Sequence, residues 1–143
     1  MRKIHIIIGF VACLASSILL TGCDSKWDEN GDLDGMWQLT EWRDRTTNQV
    51  VKTKQDSIYY CVQLNLIKFQ RGSRASHYLS YFTHTPEELT IGKTVFWPDD
   101  DVCPLGDLAP YGVASDGRFH IDALTGSHMQ LSTAESVLVF RKY

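Results

Sequence analysis

Between Ile58 and Gln70 apolar and polar residues alternate with a period of two, and this stretch constrains the fold more than any other. Val62, Leu64 and Leu66 alternate with Gln63 and Asn65, the pattern of a strand with one buried face. The phase then slips by one residue, so that Ile67 and Phe69 are the apolar positions between Lys68 and Gln70. Read as one strand, the slip predicts a β-bulge near Leu66 and Ile67, a device that bends a sheet toward closure. Arg71-Gly72-Ser73-Arg74 supplies a turn, and Ser76 to Thr83 returns as a strand rich in aromatics.

The rest of the chain repeats this grammar. An opening strand places Trp37 and Leu39 on one face and Met36, Gln38, Thr40 and Trp42 on the other. Val50 and Val51 start a short edge. Leu89 to Ile91 and Thr94 to Trp97 read as two short strands broken about Gly92-Lys93, and Pro98 to Asp107 as one long irregular loop. A three-residue turn at Leu124-Thr125-Gly126 sets Phe119 opposite Leu131 and Ile121 opposite Met129 on an apolar face. The polar face then has His120 opposite Gln130 and Asp122 opposite His128. Val137 to Phe140 is apolar on both faces. Neither an internal repeat nor an amphipathic helix of useful length appears, so the expectation is an all-β antiparallel meander.

Ahead of these strands lie a basic start, Met1-Arg2-Lys3, and an apolar run from Ile4 to Leu20. That is the pattern of a secretory signal. The run ends in Leu20-Thr21-Gly22-Cys23, which resembles a bacterial lipoprotein lipobox. The resemblance implies a signal peptide over residues 1–22, cut before Cys23, with acyl chains carried on Cys23. The alternative is an uncut anchor helix, for which the run is at the lower limit of length. Residues 23–34 are acidic and poor in apolar side chains, and read as a lipidated cysteine with a flexible tether. The domain proper is then 35–143. The implied location is the bacterial cell envelope, most simply the outer membrane, with the periplasmic or surface face left open.

Charge narrows the function. The chain has 14 basic residues against 17 acidic ones, and two of the basic residues lie in the leader. A net acidic domain lacks the clustered cations that phosphate backbones require, so nucleic acid is not an expected partner. Of the four cysteines, Cys13 is in the leader and Cys23 is the lipid site. Cys61 and Cys103 remain, either as a disulfide suited to an exported protein or as two separate thiols.

Gly35-Met36-Trp37 at the start of the first strand and Arg141 at the end of the last are similar to a pair found in lipocalins and related calycins. The chain resembles most the short bacterial lipocalin-like lipoproteins, through Leu33 to Leu39, Met129-Gln130-Leu131 and Leu138-Val139-Phe140-Arg141. The resemblance implies a barrel of about eight strands in which Arg141 stacks across Trp37 at the closed end. It also implies a small hydrophobic or amphipathic ligand.

Tyr78, Phe82 and Trp97, with Tyr60 and Tyr81, are candidates to line a cavity; core packing is the plainer role for aromatics in strands. Asp99-Asp100-Asp101 lacks the spacing of a calcium loop, and His77 and His84 fall on opposite faces, so no metal and no cofactor is expected. Serine and histidine occur without the spacing of a nucleophile and its base, and Glu87-Glu88 are adjacent rather than separated as glycosidases require. The expectation is a protein that is not an enzyme. Two readings stay open: a ligand-binding barrel at the membrane surface, or a filled barrel acting as a structural or inhibitory partner of another envelope protein.

Overall fold

The computed structural model describes residues 29–73 and 76–143. In it the alternation becomes ten antiparallel strands of a single sheet. They are β1 (Gly35–Asp44), β2 (Val50–Lys52), β3 (Ile58–Gln63), β4 (Leu66–Arg71), β5 (His77–His84), β6 (Glu88–Trp97), β7 (Asp101–Cys103), β8 (Arg118–Leu124), β9 (His128–Ser132) and β10 (Ser136–Lys142). Eight of them form an up-and-down barrel wall in the order β10-β9-β8-β6-β5-β4-β3-β1, which β10 closes by pairing with β1. β2 and β7 are short ribbons added to β1 and β6.

The interior is built from every second residue. Ile58, Tyr60 and Val62 of β3, Ile67 and Phe69 of β4, Met129 and Leu131 of β9, and Leu138 and Phe140 of β10 are all buried. Burying each such side chain contributes about 1.5–3 kcal/mol before ordering entropy is charged against it.

The phase slip at Leu66 is a turn and not a bulge. Gln63 pairs with Leu66 and Val62 with Ile67, so Leu64 and Asn65 are the loop of a two-residue hairpin. Across such a loop an inward even-numbered residue faces an inward odd-numbered one, which is the same parity change that a bulge makes. The break about Gly92 is the reverse case. β6 runs unbroken from Glu88 to Trp97, and Gly92 and Lys93 together oppose Tyr81 of β5, as a bulge. A Cβ at Gly92 would stand 3.3 Å from the Tyr81 carbonyl oxygen, tight enough to favour glycine.

Two further bulges correct the sequence reading, one in its faces and one in its register. Thr40 is the extra residue in β1, so Trp42 rejoins the inner face and packs on the core with Trp37 and Leu39. Asp122 is the extra residue in β8. There the faces are as expected, but the register is not: Ile121 pairs with Leu131, Leu124 with Met129 and His120 with Ser132. Bulges sharpen the local twist and let a wall this short close.

Both barrel ends are covered. The leader, Cys23 and the tether as far as residue 28 lie outside the described residues. Glu29 to Asp34, expected to be tether, is folded against the closed end. Leu33 of a 3-10 turn is fully buried, and Asn30 Nδ2 donates to the Leu64 carbonyl at 2.7 Å. At the other end the expected irregular loop is β7 followed by a 3-10 stretch, Leu105–Tyr111, whose Leu108 plugs the barrel. Among the described residues no helix is long and apolar enough to cross a membrane.

Cys61 and Cys103 are both free, so the disulfide does not form. Cys61 is on β3 and Cys103 on β7, with β4, β5 and β6 between them. At ~4.8 Å per strand that is far beyond the ~7 Å Cα separation a disulfide tolerates.

Candidate ligand site at the barrel mouth

The middle of the barrel is filled with rings. Tyr60 packs edge-on to Phe69 and tilted on Phe140, each with ring centroids 4.7 Å apart. Its hydroxyl donates to the Tyr111 carbonyl at 2.6 Å, which ties the covering 3-10 stretch to the core. Burial pushes the Tyr60 phenol far above its ordinary pKa, so it stays a neutral donor. Trp37, nearer the closed end, and Tyr60 are both fully buried.

Space opens above these rings, where the strands reach the mouth. A pocket of about 350 Å³ is lined by Trp42, Val51, Thr53 and Ile58, with Asp44, Asp56 and Arg71 at its polar side. A second, of about 270 Å³, is lined by Ser76, Tyr78, Phe96, Asp107 and Tyr111. Arg71 and Pro110 belong to both and divide them. Apolar walls with a few converging polar groups are what a small-molecule site needs. Burial lifts the Tyr78 phenol, and the Asp107 carboxylate and Cys103 thiol push it the same way. Arg71 Nη2 leans toward Asp56 Oδ1 at 3.6 Å, on the side of the larger pocket.

Of the five aromatic candidates, Tyr78 lines this mouth and Tyr60 lies beneath it. The other three are elsewhere. Phe82 is packed in the core, Tyr81 is exposed opposite the β6 bulge, and Trp97 stacks on His77 outside the wall. Trp42, Phe96 and Tyr111 line the mouth and were not among the candidates. Trp42 was hidden by the Thr40 bulge, and Phe96 follows from its pairing with Tyr78. Nothing in the sequence brings Tyr111 over the barrel.

At the closed end the expected pair is replaced by another. Trp37 is in register with Lys142, and Arg141 with Gln38 on the opposite face. Lys142 Nζ stands 4.8 Å from the Trp37 ring centroid, while Arg141 Nε donates to Gln38 Oε1 at 2.8 Å. The lysine stem crosses Gly35, where a Cβ would lie 3.0 Å from Lys142 Cε and φ is +121°. Glycine is required there on both counts. Trp37 Nε1 donates to the Leu33 carbonyl at 2.8 Å and so holds the covering turn.

A polar cluster occupies the outer face of β8 and β9. The Asp122 carboxylate accepts from Ser132 at 3.0 Å and Gln130 at 3.3 Å, and lies 2.8 Å from His120 Nδ1. Burial alone would raise its pKa, but these bonds together outweigh burial and hold it below the ordinary value. Ser132 donates to the acid and not to the histidine, so the three do not form a nucleophile with its base. Among the described residues no three histidine, cysteine or acidic side chains gather as metal ligands. A further depression, about 560 Å³, is a groove lined by Asp34, Cys61, Leu64, Leu66, Lys68 and Leu79. Aromatic rings line the mouth and not that groove, which makes the mouth the candidate site.

Known proteins agree with this architecture. The lipocalin-like domain family matches residues 18–143. A crystal structure of a lipocalin-like protein from Bacteroides uniformis is similar with a TM-score of 0.56 and 19% identity, over 79% of this chain and 100% of its own. An uncharacterized protein from Bacteroides eggerthii gives 0.54 at 24% identity, over 77% and 98%. A Burkholderia xenovorans protein solved by NMR gives 0.52 at 16% identity, over 77% and 82%. At these identities the solved structures speak for the fold alone. No curated protein matches the sequence. With a family match spanning the whole barrel, the chain belongs to the lipocalin-like domain family.

Proposed function

We propose that this protein is a lipid-anchored, non-enzymatic binding module of the bacterial envelope that holds a small hydrophobic or amphipathic molecule at its barrel mouth. The observation that carries the reading is the pair of pockets meeting at Arg71 and Pro110 above a floor of aromatic rings. A filled interior moves the ligand from the barrel axis to the mouth. The cover over that mouth is tied to the core by the Tyr60–Tyr111 bond. The anchor rests on the lipobox at Cys23, and the outer membrane is the location proposed with it.

The test is native mass spectrometry of the domain from Asp24 onward, before and after denaturation. A reproducible mass lost on denaturation, reduced by Trp42→Ala, supports the reading. Bare protein that takes up no apolar probe at the mouth overturns it. The anchor has its own test: Cys23→Ser must release the protein from the membrane fraction.

One observation favours a second reading, a filled barrel that presents its wall to another envelope protein. Tyr81, Trp97 and Val102 are 53%, 43% and 68% exposed on neighbouring strands β5 to β7. Exposed apolar groups in such a cluster mark contact surfaces.

A further inference from the structure

We infer that the smaller mouth pocket is a cage for a methylated ammonium head, which makes the ligand a cationic amphiphile. The inference rests on the mouth being the binding site and adds the charge and shape of what enters it.

Three rings define the cage. Tyr78 and Phe96 are cross-strand neighbours with centroids 5.1 Å apart and planes at 59°. Tyr111 comes from the covering 3-10 stretch, 5.9 Å from Tyr78 and at 76° to it. Three aromatic rings and a carboxylate lining a space of about 270 Å³ make the composition that attracts quaternary and methylated ammonium groups. Asp107 adds a carboxylate to the same lining. Burial raises the Tyr78 phenol, and that carboxylate adds to the effect.

An anionic head fits this pocket poorly, because it would meet the ring faces and Asp107. Among the described residues the one cation in the lining is Arg71, which lies 3.6 Å from Asp56 on the other side of the divide. A primary amine fits less well than a methylated one. Its three N–H donors need acceptors in fixed directions, whereas a methylated head is held by rings and charge without them. Beyond Pro110 the larger pocket presents Trp42, Val51 and Ile58, a wall suited to an apolar tail. Head and tail are therefore accommodated on opposite sides of Pro110.

The experiment titrates the full chain, held in dodecyl maltoside micelles, with benzyltrimethylammonium, 2-phenylethanol and phenylacetate, following the ring resonances of Tyr78, Phe96 and Tyr111 by NMR. The expected result is binding of the cation about tenfold tighter than of phenylacetate, with all three rings shifted. Asp107→Asn and Phe96→Leu should each weaken the cation by about three- to tenfold, and 2-phenylethanol by a smaller factor. Tighter binding of phenylacetate overturns the inference in favour of an anion site at Arg71. Equal binding of all three overturns the charge selection while leaving the mouth as a binding site. No ring shift with any probe overturns both.

Discussion

Lys142 Nζ lies 4.8 Å from the centroid of the Trp37 indole and also donates to the Asp32 carbonyl at 3.1 Å. One side chain therefore covers the closed end, contacts its central ring and fastens the turn that precedes β1. The charge on such a contact is worth about 0.5–2 kcal/mol. Lys142→Met keeps the stem and removes the charge, and should lower stability in urea by about 1 kcal/mol. Lys142→Arg should restore most of it. Arg141→Met should leave the Trp37 fluorescence contribution unchanged, because Arg141 is on the other face with Gln38. If Arg141→Met shifts that emission and Lys142→Met does not, the assignment is wrong.

Tyr60 couples the core to the mouth. Tyr60→Phe removes the donor to the Tyr111 carbonyl and should cost about 1–2 kcal/mol. It should also speed amide exchange in Leu105–Tyr111 more than in the barrel wall. The raised Tyr60 pKa fixes the sign of an alkaline effect. The neutral phenol is favoured in the folded state, so its stability is fully present below the unfolded value near 10.0 and is lost as pH rises above it. Alkaline titration of tyrosine absorbance should show one phenol that ionises only on unfolding, and Tyr60→Phe should abolish that step.

Asp122 predicts an acid effect of opposite sign. Its folded pKa lies below the ordinary 3.8, so the stability it supplies is present above that value and lost as pH falls through the folded one. Asp122→Asn should cost on the order of 1 kcal/mol at neutral pH and flatten the stability profile below about pH 4. Equal acid sensitivity in wild type and variant, measured by urea unfolding at several pH values, would falsify this role.

How much of this was legible depends on what period-two alternation encodes. It reports inward and outward faces and nothing about chain direction. The all-β meander and the buried faces of β3, β4, β8 and β9 could therefore be read directly, while the eight-strand barrel came from the resemblance and β10, apolar on both faces, showed no single buried face. A phase slip, however, has two causes. At Leu66 it was a hairpin taken for a bulge, and at Gly92 a bulge taken for a break. Length separates the cases, since strands of globular domains average five or six residues and a strand from Ile58 to Gln70 is twice that. The site was less legible. Thr40 moves Trp42 to the inner face without changing the composition of β1. Tyr111 reaches the mouth through a 3-10 stretch whose residues carry no strand period. At the closed end the resemblance supplied an arginine one residue away from the cation that does the covering.

The Leu64 turn gives a mutation whose sign separates the two causes. Leu64 has φ of +55°, a left-handed conformation that costs a branched apolar residue about 1 kcal/mol and asparagine much less. At 39% exposure it still loses some apolar burial when replaced, which offsets part of that difference. In the hairpin, Leu64→Asn should stabilise the domain by about 0.5 kcal/mol, read as a higher urea midpoint with an unchanged slope. In a continuous strand the same substitution would place a poor strand former in extended backbone and destabilise it by a similar amount. A lower midpoint would therefore return the chain to the single bulged strand and remove the β3–β4 hairpin from the barrel wall.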